Sequence, residues 1–123
     1  MAFHNKLGQE GEKIAAQYLK SKGYIIHHTN WRMSHLEIDI IAEHNDELIF
    51  VEVKTRSSDE FGEPEEAVDY QKEKDLIRLA NTYLENLHLE VLSRFDIIAI
   101  ILNDSETNLT HFEDAFSPMT FGM

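Results

Sequence analysis

At 123 residues the chain is long enough for one hydrophobic core and too short for two ordinary domains. It has no cysteine, which excludes a disulfide framework, a thiol nucleophile or a cysteine metal site. A net charge of −12 argues against indiscriminate nucleic-acid binding, because phosphate contacts need lysine and arginine.

The charge is uneven. Residues 1–32 carry a net +3, residues 33–69 a net −10, residues 70–78 a net +1 and residues 79–123 a net −6. A phosphate backbone could be met by the first and third blocks but hardly by the last. With no apolar leader and no run of membrane-spanning length, a soluble and cytoplasmic protein is expected.

Leu7, Gly11, Ile14, Ala15, Tyr18 and Leu19 recur at helical spacing and predict an amphipathic helix over about 6–22, stopped at Gly23. Lys6, Lys13 and Lys20 lie opposite that stripe, as a solvated face or as a ridge that grips a backbone. Glu12 falls on the stripe's border, in line with Ala15, Ala16 and Leu19, and can lean toward the packed side. Residues 24–31 read as a strand. His27 and His28 are adjacent on it, so they point to opposite faces and cannot chelate one ion together.

Two apolar runs, 36–42 and 48–55, flank the polar turn His44-Asn45-Asp46-Glu47 and predict a β-hairpin. Centring the turn between Asn45 and Asp46 opposes Ile38 with Val53, Ile40 with Val51 and Ala42 with Ile49 on one face. The other face opposes Glu37 with Lys54, Asp39 with Glu52 and Ile41 with Phe50. A one-residue slip would turn charges onto the apolar side, so the pattern selects this register. Opposed carboxylates, with Cβ atoms about 5 Å apart, repel unless a cation lies between them. Alternating charge on a strand is also what a solvated sheet face looks like, but that reading leaves the Asp39–Glu52 opposition unexplained.

Residues 56–64 form a polar loop. Pro64, followed by Glu65, Glu66 and Asp69, marks a helix start that suits the positive end of the dipole. Leu76, Ile77, Ala80, Tyr83, Leu84 and Leu87 carry its apolar stripe to about residue 87. Continued backwards, that stripe meets Lys72, Glu73 and Asp69, which fits either a polar cavity or an exposed helix start. Residues 94–102 are almost continuously apolar, as expected of a strand buried on both faces. A short edge strand over 108–113 and a loosely held tail over 115–123 complete the chain. The order α-β-β-β-α-β-(β) predicts a single-domain α/β sandwich around a mixed central sheet, its core spanning about 5–116.

Glu12, Asp39 and Glu52 offer three oxygen ligands from three elements, with the Val53 carbonyl as a further one. Hard, oxygen-only ligands select Mg²⁺ or Mn²⁺ over zinc.

One ordered set of segments runs through the chain: Gly8-Gln9-Glu10-Gly11-Glu12 with Ala15 and Tyr18-Leu19, then Gly23-Tyr24 and Asn30-Trp31-Arg32. Glu37 to Ala42 and Phe50 to Arg56 follow, then Lys72 with Ala80 and Tyr83-Leu84, Arg94-Phe95-Asp96 and Ala115-Phe116. In these segments the chain resembles the YraN-type family of small proteins, within the restriction-endonuclease-like PD-(D/E)XK superfamily. It is also similar to archaeal Holliday-junction resolvases in element order and motif spacing. Leu36 departs from the pattern, where a small residue is usual, but removes no ligand.

The resemblance implies a metal-dependent nuclease acting on structured or branched DNA in repair or recombination. In it Asp39 and Glu52 bind Mg²⁺ or Mn²⁺, Lys54 is the catalytic lysine and Glu12 matches the acid of the first helix. Lys72 occupies a position where the superfamily often has a polar residue. Arg56, Arg32 and Arg94 are candidates for phosphate contact, or equally surface residues or partners for nearby acids.

Two rival readings stand beside the nuclease: a nucleic-acid- or protein-binding module on the same fold that does not cut, and an interaction domain whose charges merely solubilise a sheet. Dimerisation would suit a two-armed substrate. His35, His44, His88 and His111 fall in turns or near element ends, where exposure is expected. There is no Gly-rich phosphate loop, nucleophile elbow or HExxH pattern.

Overall fold

A computed structural model describes residues 5–58 and 70–123. The expected helix start at Pro64, with Glu65, Glu66 and Asp69, lies outside the described residues. The elements are α1 (Lys6–Ser21), β1 (Ile25–Met33), β2 (Leu36–His44), β3 (Glu47–Arg56), α2 (Tyr70–Asn86), β4 (Ser93–Leu102) and β5 (Thr107–Phe116), with a 3₁₀ turn at Pro118–Phe121. This is the expected mixed α/β order.

Asn5 starts α1 by accepting the Gly8 N–H on its side-chain oxygen at 2.7 Å. The helix ends where Gly23, at φ +90°, turns the chain into β1. Gly11, Ala15 and Leu19 are buried along one side of α1, while Lys6, Lys13 and Lys20 are exposed.

The sheet has the order β1-β2-β3-β4-β5. Only β3 and β4 are parallel, and the connection between them carries α2. Ala15 and Leu19 pack with Ile40, Ala42, Ile49, Val51, Ile98 and Ile100 on one face. Leu76, Ile77, Ala80 and Tyr83 pack with Ile41, Phe50, Phe95 and Ile97 on the other. β4 is buried from Phe95 to Ile100, as its unbroken apolar run predicts.

The β2–β3 ladder follows the expected register from His44 opposite Glu47 to Ile40 opposite Val51, and stops there. The expected Ile38–Val53, Asp39–Glu52 and Glu37–Lys54 pairs are not formed as rungs. Ile38 packs in the α2-side core with Ile41, whereas Ile40 packs on the α1 side, so strict alternation breaks at Asp39. Across from it, Asn30 of β1 has φ +53°. A left-handed residue beside a strand disrupts its pleat, which period-two reasoning does not include. Glu37 instead lies opposite Arg32 of β1 and pairs with it at 3.4 Å.

The C-terminal end is more firmly held than its composition suggests. β5 runs ten residues to Phe116, which is buried and stacks on Phe95 with centroids 5.2 Å apart. Phe121 then meets Tyr70 of α2 edge-on at 5.9 Å, and the Lys74 ammonium lies 5.6 Å from its ring. Among the described residues no helix is long and apolar enough to cross a membrane.

Gly11 sets how closely α1 approaches β3. A Cβ built on it would overlap Thr55 Oγ1 and come within 2.8 Å of Thr55 Cβ. Alanine is the better helix former by about 1 kcal/mol, so a net loss in Gly11→Ala isolates the clash. We expect that variant to lose about 1–3 kcal/mol in urea denaturation. Adding Thr55→Ala should recover part of the loss.

Candidate functional site

Beyond the last rung at Ile40 and Val51, β2 and β3 part, and a cleft of about 540 Å³ opens between them. Leu36, Glu37 and Asp39 line it from β2, and Val53, Lys54, Thr55 and Arg56 from β3. Asn5, Gly8 and Glu12 close it from the α1 end, and Gln71, Lys72 and Asp75 from the first turns of α2. The polar start of α2 thus faces a polar cavity, one of the two readings its interrupted stripe allowed.

Asp39 takes the place of a missing rung. Its Oδ2 accepts the Val53 N–H at 2.8 Å, so a side chain does what a backbone carbonyl does elsewhere in the ladder. Burial pushes the Asp39 carboxyl up to about 7, with the neighbouring charges of Glu12 and Glu52 adding to the shift. The Val53 amide and the Lys72 ammonium act against it.

Glu52 follows Phe50 on the α2 side of β3 and is 1% exposed. Lys54 and Lys72 both bring their ammoniums to its Oε1, at 3.1 and 2.9 Å. These are charge contacts rather than well-aligned hydrogen bonds: among the described residues neither Oε1 nor Oε2, both buried, has a hydrogen-bond partner. Burial holds Lys54 below the ordinary lysine value; Glu52 opposes that shift and Lys72 adds to it. Burial also acts downward on Lys72, but attraction to Glu52, with Asp39 adding, outweighs it and holds Lys72 above the ordinary value.

Glu12, Asp39, Glu52, Lys54 and Lys72 therefore come from four elements to one place. The donors suit a hard divalent ion: two buried carboxylates, one of them with an unpartnered oxygen, beside a third from α1. Among the described residues, however, no three His, Cys, Asp or Glu side chains are gathered closely enough to cage an ion as they stand.

The three arginines are distributed differently. Arg56 lines the cleft, and its Nη1 donates to the Thr55 carbonyl at 3.1 Å. Arg32 is at the rim, exposed and paired with Glu37. Arg94 is not in the cleft. It lies opposite Ile49, five residues before Lys54 along β3, or about 16 Å away. There it grips Asp96 through Nε at 2.8 Å and Nη2 at 2.9 Å, and donates to the Tyr24 hydroxyl at 2.9 Å. Its expected phosphate contact gives way to the other role left open for it, partner of a buried acid.

His111, expected to be exposed, belongs to the same network and is 6% exposed. Its Nε2 donates to Asp96 Oδ2 at 2.7 Å, which leaves Nδ1 of the neutral ring to accept from the Tyr18 hydroxyl at 3.0 Å. Burial alone would raise Asp96, but bonds from His111, Arg94 and the Asp114 N–H hold it below the ordinary carboxylate value. Bonding to Asp96 in turn holds Arg94 above its own.

Sequence reasoning also passed over Asn5, His35, Gln71 and Asp75 as cleft residues. Asn5 was findable as a helix N-cap. Nothing local marks the others.

Residues 11–100 match the family described as Uncharacterised protein family UPF0102. The chain belongs to that family. A UPF0102 protein of Bacteroides thetaiotaomicron is 46% identical over 121 residues, covering 98% of this chain and all of the relative. One from Christiangramia forsetii is 47% identical over 116 residues, covering 94% and 98%. A third, from Alkaliphilus oremlandii, is 44% identical over 117 residues, covering 93% and 100%. This UPF0102 chain thus has the length of these relatives, and the matched region contains every cleft residue named above except Asn5 and Gly8.

Two predictions follow from the electrostatics. Because Asp39 is raised from 3.8 to about 7 in the fold, its contribution to stability is complete below 3.8 and is lost as pH rises toward 7. In chelator, the stability of wild type relative to Asp39→Asn should therefore fall across that window; a flat difference would contradict the buried placement. Arg94→Met should cost about 3–5 kcal/mol by stranding Asp96. Any nucleic-acid binding should drop only in proportion to the folded fraction, measured by denaturation beside fluorescence anisotropy.

Proposed function

We propose that this UPF0102 protein is a metal-dependent nuclease that hydrolyses phosphodiesters, and that its substrate is structured or branched DNA. The observation that carries this reading is that Asp39 and Lys54 line one cleft and Lys54 meets the buried Glu52 behind its wall, where no described residue hydrogen-bonds the Glu52 carboxylate. The resemblance to the PD-(D/E)XK superfamily and to archaeal Holliday-junction resolvases supports it.

Asp39 and Glu52 would hold Mg²⁺ or Mn²⁺, with Glu12 and the Val53 carbonyl at hand to complete the shell. When bound, such an ion supplies charge neutralisation at a non-bridging phosphoryl oxygen. The remaining work falls to the chain. Lys54, fixed by burial and by Glu52, directs its ammonium at the reacting phosphate and stabilises the charge that develops there. Its lowered pKa also favours proton exchange with the attacking water. Arg56 and Lys72 stand where they can receive the flanking backbone. Arg32 is near the rim, and the exposed lysines of α1 offer a path for the rest of a long substrate.

A second reading is a binding module that recognises nucleic acid or a protein on the same fold without cutting. The occupation of Glu52 by two lysines favours it, and the −12 net charge favours a protein over a nucleic acid as its partner.

Turnover separates the two. Branched and single-stranded DNA should be cleaved in Mg²⁺ or Mn²⁺, and Glu52→Gln should lower the rate at least a hundredfold. Lys54→Ala should lose cleavage by a similar factor while keeping affinity for the metal. Absence of cleavage on every DNA form, with DNA binding intact, would favour the module.

A further inference from the structure

We infer that Lys72 is an internal counter-ion that holds the site shut to metal until it is displaced, and that the same ammonium then serves the substrate phosphate. This rests on the metal-site reading above and adds to it a coupling between metal and nucleic acid.

Two ammoniums share one oxygen of Glu52, yet they are held very differently. Lys54 is part of β3 and its side chain is 11% exposed, so its position is set by the sheet. Lys72 lies on the sheet-facing stripe of α2, one turn before Leu76, yet its side chain is 51% exposed where it reaches Glu52 at 2.9 Å across the cleft. Withdrawing it breaks a contact that is close but poorly aligned for hydrogen bonding, and a half-exposed side chain has solvent to withdraw into. Lys72 is the mobile member of the pair.

Charge decides when it moves. Asp39 and Glu52 act on Lys72, Glu52 on Lys54, and Glu12 on Asp39, three acids against two bases. Glu37 and Asp75 of the cleft have their own partners in Arg32 and Arg78. A dication added to both lysines would leave the cluster positive in a buried setting, whereas a dication in place of Lys72 leaves it neutral. The divalent ion and Lys72 thus compete for Glu52. A lysine released from Glu52 remains tethered at the cleft wall lined by Gln71 and Asp75, where a phosphodiester bound against Lys54 and Arg56 would meet it. Metal binding and polyanion binding should therefore assist each other, each favouring the state in which Lys72 has left Glu52.

The test uses Lys72→Met, which keeps the stem and removes the charge, with Lys72→Gln as a second variant. Mn²⁺ affinity is measured by calorimetry and by the metal-induced rise in Tm, with no DNA present. Either variant should bind Mn²⁺ about tenfold or more tightly than wild type and show the larger rise. Wild type should bind single-stranded DNA more tightly in Mn²⁺ than in chelator, and this enhancement should shrink in the variants. Unchanged or weaker Mn²⁺ binding in both variants, with Asp39→Asn abolishing it, would overturn the counter-ion role and leave the metal site standing. Lack of Mn²⁺ binding in wild type and variants alike would overturn both.

Discussion

Glu52 lies at 1% exposure on a central strand, and a carboxylate at that depth has to be met by positive charge. Left alone it would cost several kcal/mol of desolvation. The chain supplies two ammoniums, both at one oxygen, and leaves the other oxygen unsatisfied. Asp39 adds a second buried acid whose carboxyl is lifted to about 7 by that burial. The architecture around them serves to keep these groups together: a sheet that buries β3 on both faces, a helix on each side, and a ladder that ends just before the acids.

The other face of the sheet, at Asp96 of β4 opposite Val51, shows what a satisfied buried acid looks like. Asp96 is fully buried, but Arg94, His111 and the Asp114 amide fill its acceptor sites, and its pKa goes down. Asp39 has one backbone donor and acidic neighbours, and its pKa goes up. Two aspartates of similar burial are thus separated by their partners. A fully bonded network ties β4 to β5, to α1 and to Tyr24 just before β1, and makes the frame rigid. An incompletely bonded one is where added charge would be stabilised. That contrast assigns Arg94 to the frame.

Much of this was legible in the residues. Apolar spacing on α1 and α2 and the unbroken run of β4 led directly to the layers, and the turn at residues 44–47 to the hairpin register as far as Ile40 and Val51. Lys72 stood out because it interrupted an apolar stripe, and it lines the cleft. The expectation failed where a pattern rule met a local irregularity. Strict alternation carried past Ile40 put Asp39 opposite Glu52, but the strands part there, and Asp39 bonds the Val53 amide instead. His111 and Arg94 looked like surface residues because their partner, Asp96, sits on a strand that otherwise reads as wholly apolar.

By itself, the sequence determined which elements form, which faces are apolar and which charged residues have no place in an ordinary core. Those properties depend on spacing within a few residues, and spacing is written in the chain. Only the tertiary structure decided that Lys54 and Lys72 converge on a single oxygen of Glu52, that Glu12 joins them from across the cleft, and that Arg94 belongs to Asp96. Lys72 and Glu12 come to this place from far along the chain, and the near neighbours Lys54 with Glu52 and Arg94 with Asp96 pair because both members are buried together; burial is a property of the assembled layers rather than of any one segment.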